Sequence, residues 1–110
     1  MKNFFRFLFF LSCTFLWSQE KKSTATENVK IISENFDVPQ LKTTRRIWIY
    51  LPKDYETSRK KYEVFYLQDA QNLFDDATSY AGEWQADETL NKIFEKTGKS
   101  VIIVGIDNGG

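Results

Sequence analysis

Apolar and polar residues divide the 110-residue chain into segments of different character. Residues 7–17 form a nearly unbroken apolar run, interrupted only by Ser12, Cys13 and Thr14, and an abruptly polar stretch begins at Gln19. Ordered patterning starts at Val29. Residues 29–36 read as a strand, and Pro39 and Gln40 mark the break after it. Residues 44–51 alternate strictly: Ile47, Ile49 and Leu51 interleave with Arg46, Trp48 and Tyr50. That is the period of two expected of a strand whose faces meet different surroundings. Pro52 to Tyr55 end it, and the charged residues 56–61 form a solvated surface loop. Residues 62–67 and 101–106 are almost wholly apolar, the pattern of parallel strands covered on both faces.

Between those two runs the period changes to that of a helix. Trp84, Leu90, Ile93 and Phe94 recur at three- and four-residue spacings, while Asp87, Glu88, Asn91, Lys92, Glu95 and Lys96 fall opposite. Trp84 is therefore expected in the core. Acidic Asp87 and Glu88 near the start, basic Lys96 and Lys99 near the end and Gly98 as a left-handed terminator agree with the helix polarity. Glu88 and Lys92 add an i,i+4 pair. A strand, a crossover helix and a second strand within about 45 residues make one right-handed βαβ unit with parallel strands. The fold class is α/β.

The first segment stands apart from the fold. Lys2 and Arg6 flank the start of an apolar run shorter than the roughly 20 residues of a spanning helix, so residues 1–18 read as a secretory signal peptide. No stable membrane span is expected, and the chain is expected to be exported, periplasmic or extracellular. An alternative reading acylates Cys13 as a lipoprotein anchor, although Thr14 to Trp17 continue the apolar core where such a signal turns polar. Residues 19–28 lack periodicity and are expected to be a flexible lead-in. The folded region is residues 29–110.

Composition narrows the chemistry. The chain has 15 basic and 15 acidic side chains, one cysteine and no histidine. The absence of histidine excludes a self-contained Ser-His-Asp hydrolase and a His-based zinc enzyme. A single cysteine excludes an internal disulfide framework and Cys-rich zinc patterns. Removing residues 1–18 takes away Lys2 and Arg6 and leaves a charge of about −2, no footprint for nucleic acid. Gly98-Lys99-Ser100 precedes a strand and has Ile93 where a phosphate loop begins with glycine. Asp69, Asp75 and Asp76 do not make a calcium loop, because Gln71 and Leu73 occupy ligand positions and the required glycine is missing. No Gly-x-Ser-x-Gly segment occurs. Ser79 and Ser100 have no partner pattern for a nucleophile. No metal or cofactor is expected.

In parallel sheets, chemistry gathers in loops at the carboxyl ends of the strands. Residues 68–81 and 107–110 hold that position here, and Asp107 and Asn108 are expected to bond the local turn backbone. Four blocks, read in order, have a wider likeness: residues 45–55 (RRIWIYLPKDY), 64–75 (VFYLQDAQNLFD), 82–90 (GEWQADETL) and 103–110 (IVGIDNGG). Together they resemble the Putative esterase family, related to esterase D, enterochelin esterase and feruloyl esterase domains, over roughly residues 44–110.

The resemblance implies an α/β-hydrolase fold and hydrolysis of carboxylic esters by a serine nucleophile, on a small-molecule or carbohydrate-linked ester. It implies two antiparallel first strands and a fourth strand inserted beside the second. Nucleophile, acid and histidine are then expected beyond Gly110, which makes the chain the amino-terminal half of the enzyme, not catalytically competent alone. A backbone N–H from the loop after the third strand contributes to the oxyanion hole in that fold. The matching positions are Ala70 and Gln71, with Asp69 and Asn72 as loop braces. The family commonly has His-Asp-Gly-Gln where this chain has Gln68-Asp69-Ala70-Gln71, and alanine for glycine costs most where φ is positive. The alternative is a short secreted non-catalytic binding domain derived from the same fold. That reading leaves Val64, Phe65, Tyr66 and Leu67 on an exposed sheet edge.

Overall fold

The computed structural model of the protein describes residues 20–109; residues 1–18, read from the sequence as a signal peptide, and Cys13 among them lie outside the described residues. Five elements follow one another: β1 (Val29–Val38), β2 (Thr43–Tyr50), β3 (Val64–Gln68), α1 (Ala86–Thr97) and β4 (Ile102–Ile106). The four strands form one mixed sheet in the order β1-β2-β4-β3. β1 and β2 are antiparallel around a tight 3-10 turn at Pro39–Leu41, which ends with Lys42 in the left-handed region. β4 enters beside β2, antiparallel to it, and pairs in parallel with β3 from Val64 opposite Ile102 to Gln68 opposite Ile106. The βαβ unit and the insertion of β4 are as expected. Strand ends differ by one or two residues: β1 continues to Val38, and β3 begins only at Val64.

The alternation of β2 does not say which face is buried. Trp48 and Tyr50 are 2% and 0% exposed, while Ile47 and Ile49 are half-buried. The aromatic face packs on Ile103 of β4 and on Ala70, Leu73 and Phe74 from the segment after β3. The rings of Trp48 and Phe74 lie 6.1 Å apart, tilted by 44°. Burial of each such side chain contributes roughly 1.5–3 kcal/mol. The expectation of strands covered on both faces does not hold for β3. It lies at the sheet edge, and Val64, Phe65 and Tyr66 are exposed.

The helix corrects the sequence reading more sharply. Its buried residues are the polar Asp87 and Asn91, one turn apart. Leu90 and Phe94 are half-buried, and Ile93 is exposed. Trp84 precedes the helix and is 71% exposed, so it is not a core residue. The polar stripe is buried because polar partners meet it. Tyr50 Oη donates to Asn91 Oδ1 at 2.8 Å, and Asn28 Nδ2 donates to the same oxygen at 2.9 Å. Asn28 Nδ2 also reaches the Leu51 carbonyl at 2.7 Å. The Thr26 N–H donates to Asp87 Oδ2 at 2.8 Å. A buried polar group is tolerated when its hydrogen bonds are made. Glu88 forms no ion pair with Lys92 among the described residues, because its carboxylate turns toward Glu83 and Asp87. At the other end Gly98 caps the helix at φ 68°, its N–H donating to the Phe94 carbonyl at 2.7 Å, as its position predicts.

The lead-in, expected to be flexible, is fastened over residues 23–28. Ser23 Oγ and the Thr24 N–H donate to the two carboxylate oxygens of Asp75, at 2.6 and 3.0 Å. Thr26 and Asn28 complete the seam between β2 and α1. Single polar contacts of this kind have no periodicity, so hydropathy does not reveal them. Asn91→Ala should leave the buried Tyr50 hydroxyl without its acceptor and remove one of the Asn28 amide's two acceptors, destabilising the protein by about 1–3 kcal/mol. Urea unfolding of the two proteins measures the difference; a loss below about 0.5 kcal/mol would show that the seam is not a stabilising contact.

Candidate functional site

The register of β3 with β4 sets Gln68 level with Ile106, so the segments that follow emerge side by side at one end of the sheet. After β3 the chain reverses through Asp69, in the left-handed region at φ 55°, into a 3-10 turn at Ala70–Asn72. The turn's hydrogen bonding begins with the Asn72 N–H on the Asp69 carbonyl and continues with Leu73 on Ala70. The N–H groups of Ala70 and Gln71 therefore precede the first bond of the turn, where a helical segment leaves donors without internal partners. Positive φ falls on Asp69, not on Ala70, so the alanine in place of the family's glycine meets no backbone penalty.

Ala70 is wholly buried, and its methyl group needs room. Gly105 of β4 supplies it: a Cβ at Gly105 would stand 2.7 Å from Ala70 Cβ and 3.3 Å from Phe74 Cε2. A glycine inside an apolar strand is the sign of such a close approach, and this residue could have been found from the sequence on that ground.

The two loops are joined across the sheet end. Gln71 Oε1 accepts the Asn108 N–H at 2.9 Å, and the Gln71 carbonyl accepts Thr78 Oγ1 at 2.7 Å. Asn72 holds the far side of the long loop at two points: Oδ1 takes the Tyr80 N–H at 2.9 Å and the carbonyl takes the Trp84 N–H at 2.8 Å. Asn72 thus sets the positions of two exposed aromatic residues, Tyr80 at 93% and Trp84 at 71%. Asp69 makes its contact through its own carbonyl, with no side-chain cap.

Asp107 departs from expectation. It was expected to bond the local turn, but its carboxylate crosses to β2, where Trp48 Nε1 donates to Oδ1 at 2.7 Å and Arg46 Nε lies 3.1 Å from Oδ2. Burial raises the Asp107 carboxyl above the ordinary aspartate range, against the opposing pull of the Trp48 donor and the Arg46 charge. Arg46 also sits 5.7 Å from the centre of the Trp48 ring. The reason is register: Trp48 pairs with Gly105 and Ile47 with Ile106, which brings Asp107 level with Arg46.

Asp75 anchors the loop from below. Burial alone would raise its pKa, but the Ser23 hydroxyl and the Thr24 and Ala77 N–H groups outweigh burial and hold it below the ordinary value. A different balance governs the acidic group at the start of α1. Glu88 is pushed up to about 7, by burial first and then by the neighbouring Asp87 carboxylate, and Glu83 is raised as well, again by burial first.

A family model for Putative esterase matches residues 39–110, which include the whole of β2, β3, α1 and β4. The chain belongs to that family. No curated protein and no solved structure matches it. Family membership supports a hydrolase origin and a small-molecule substrate, and among the described residues no helix is long and apolar enough to cross a membrane.

Two outcomes are expected at this site. Gly105→Ala should push the Ala70 turn away from β4 and destabilise the protein by about 1–3 kcal/mol, and Ala70→Gly in the same chain should restore most of that loss; denaturation midpoints of the single and double variants decide it. Because the folded pKa of Asp75 is depressed, its contribution is fully present above the unfolded value and is lost as pH falls through the folded one. The stability gap between the protein and Asp75→Asn should therefore be constant near neutrality and shrink below about pH 4. A gap independent of pH in thermal unfolding would contradict the assignment.

Proposed function

We propose that this chain forms the amino-terminal part of an exported serine carboxylic-ester hydrolase, in which the segment after β3 supplies one side of the oxyanion hole. The observation that carries the reading is the turn at Ala70–Asn72, set at the carboxyl end of a parallel strand pair in a chain of the Putative esterase family. Backbone N–H groups of Ala70 and Gln71 would donate to the oxygen that becomes negative as the ester carbonyl turns tetrahedral. Such donors work because the surrounding fold orients them before the charge appears, and one is worth roughly 3 kcal/mol of transition-state stabilisation. Asp69 and Asn72 hold the turn through backbone and side chain, and Gln71 ties it to the segment after β4.

The remaining machinery follows from chemistry. A serine must lose its proton to a base as it attacks, and the acyl-enzyme must be released by water activated by the same base. With no histidine among the 110 residues, we place nucleophile, acid and histidine beyond Gly110. Residues 1–18 serve as the export signal. An amino-terminal leader of this kind goes with a substrate met outside the cytoplasm.

The test is hydrolysis of a short-chain aryl ester. The 110-residue chain should give no turnover above buffer, whereas the chain continued through its following reading frame, with a Gly-x-Ser-x-Gly segment and a late histidine, should hydrolyse it. In that longer chain Gly105→Ala should lower kcat by up to about a hundredfold with little change in KM, because the displaced donors act in the transition state. Serine-dependent turnover by the 110-residue chain, or a following frame without those residues, would overturn the reading.

A further inference from the structure

Three carboxylates meet where the loop after β3 runs into α1. One oxygen from each of Glu83, Asp87 and Glu88 lies within 4.8 Å of the others. Asp87 is fully buried. Its Oδ2 is satisfied by the Thr26 N–H, but its Oδ1 is buried with no hydrogen-bond partner, as are Glu83 Oε2 and Glu88 Oε2. No lysine or arginine among the described residues forms an ion pair with any of the three. Ionised carboxylates only accept hydrogen bonds, so they cannot satisfy one another. Uncompensated charge in such a place is costly, and a partner such as a cation, a proton or water relieves it.

We propose that Glu83, Asp87 and Glu88 bind one hard divalent cation of the calcium class. An all-oxygen, carboxylate-rich set selects such an ion over softer metals. Calcium–oxygen distances of about 2.3–2.6 Å place ligands up to roughly 5 Å apart across the ion, a span that encloses this cluster. Water would complete its coordination. Bound there, the ion joins the loop at Glu83 to the first turn of α1. Through Asp87 and Thr26 it also fastens the lead-in. The site differs from the rejected Asp69–Asp76 loop, and it does not depend on the ester-hydrolase reading.

The competing occupant is a proton shared between Glu88 and Asp87, and calorimetry separates the two. The full chain, stripped with EDTA and held at about pH 8 so that the carboxyls ionise, should take up a single Ca2+ and unfold at a higher temperature with it. Glu83→Gln, which alters only the loop side of the cluster, and Asp87→Asn should each weaken uptake at least about tenfold while circular dichroism shows an unchanged fold. MgCl2, the second arm, should bind more weakly. Absence of stoichiometric Ca2+ uptake by the folded chain, or uptake undiminished in Glu83→Gln, would overturn the proposal and leave the shared proton as the occupant.

Discussion

β4 is the strand that joins the β1–β2 hairpin to β3, and the candidate site is placed by it. It holds β2 on one side in antiparallel register and β3 on the other in parallel. Remove it, and the β1–β2 hairpin and β3 no longer share a sheet. Its Gly105 adds a steric condition. The segment after β3 can fold down onto the sheet only because no side chain projects there, so Ala70 and Phe74 occupy that space. The 3-10 turn is thereby pressed against the sheet end rather than left on a loose loop, a requirement for groups meant to stabilise charge without rearrangement.

A second constraint acts through polar contacts. The helix meets the sheet through a small apolar contact around Leu90 and Ala86 and through a buried seam of Asn28, Tyr50, Asp87 and Asn91. Such a seam is unforgiving, because Asn28, Tyr50 and Asn91 bond one another and Asp87 accepts from Thr26, so the loss of Asn91 disturbs more than one partner. It specifies the docking of the helix more narrowly than an oily face would. Asp75 repeats the device beneath the long loop, where Ser23 and Thr24 complete its shell. The lead-in thus behaves as part of the domain. Its polar residues lock two loops and a helix that hydropathy treats as separate.

The Putative esterase match extends from the β1–β2 turn onward, so β2, β3, β4 and the segments at the carboxyl end of the sheet fall within it, while β1 precedes it. The placement of Ala70 shows how a departure from the family pattern can be accommodated. The left-handed conformation that glycine would ease is carried by Asp69 one residue earlier, an aspartate being among the residues that tolerate it. The extra methyl is absorbed by the glycine opposite. Side-chain and backbone conditions at the turn are both met, by residues 35 positions apart in the chain.

Local rules were enough for much of the architecture. Alternation marked β2, apolar runs marked β3 and β4, and Gly98 marked the helix end, because each reflects the conformational preference or the burial of neighbouring residues. The helical crossover between them then went with a parallel pairing of β3 and β4. Spacing could not say which face of β2 is covered, since Ile47 and Ile49 are as apolar as Trp48 and Tyr50. Nor could it show that Asp87 and Asn91 lie inside while Trp84 lies outside, because hydropathy assumes that a buried face meets apolar partners. The partners here are an asparagine and a threonine from the lead-in and a tyrosine from β2, all far away along the chain. The same distance hid the Asp107 contact with Trp48. Burial of a polar group depends on what the fold brings opposite it, and that pairing exists only in three dimensions.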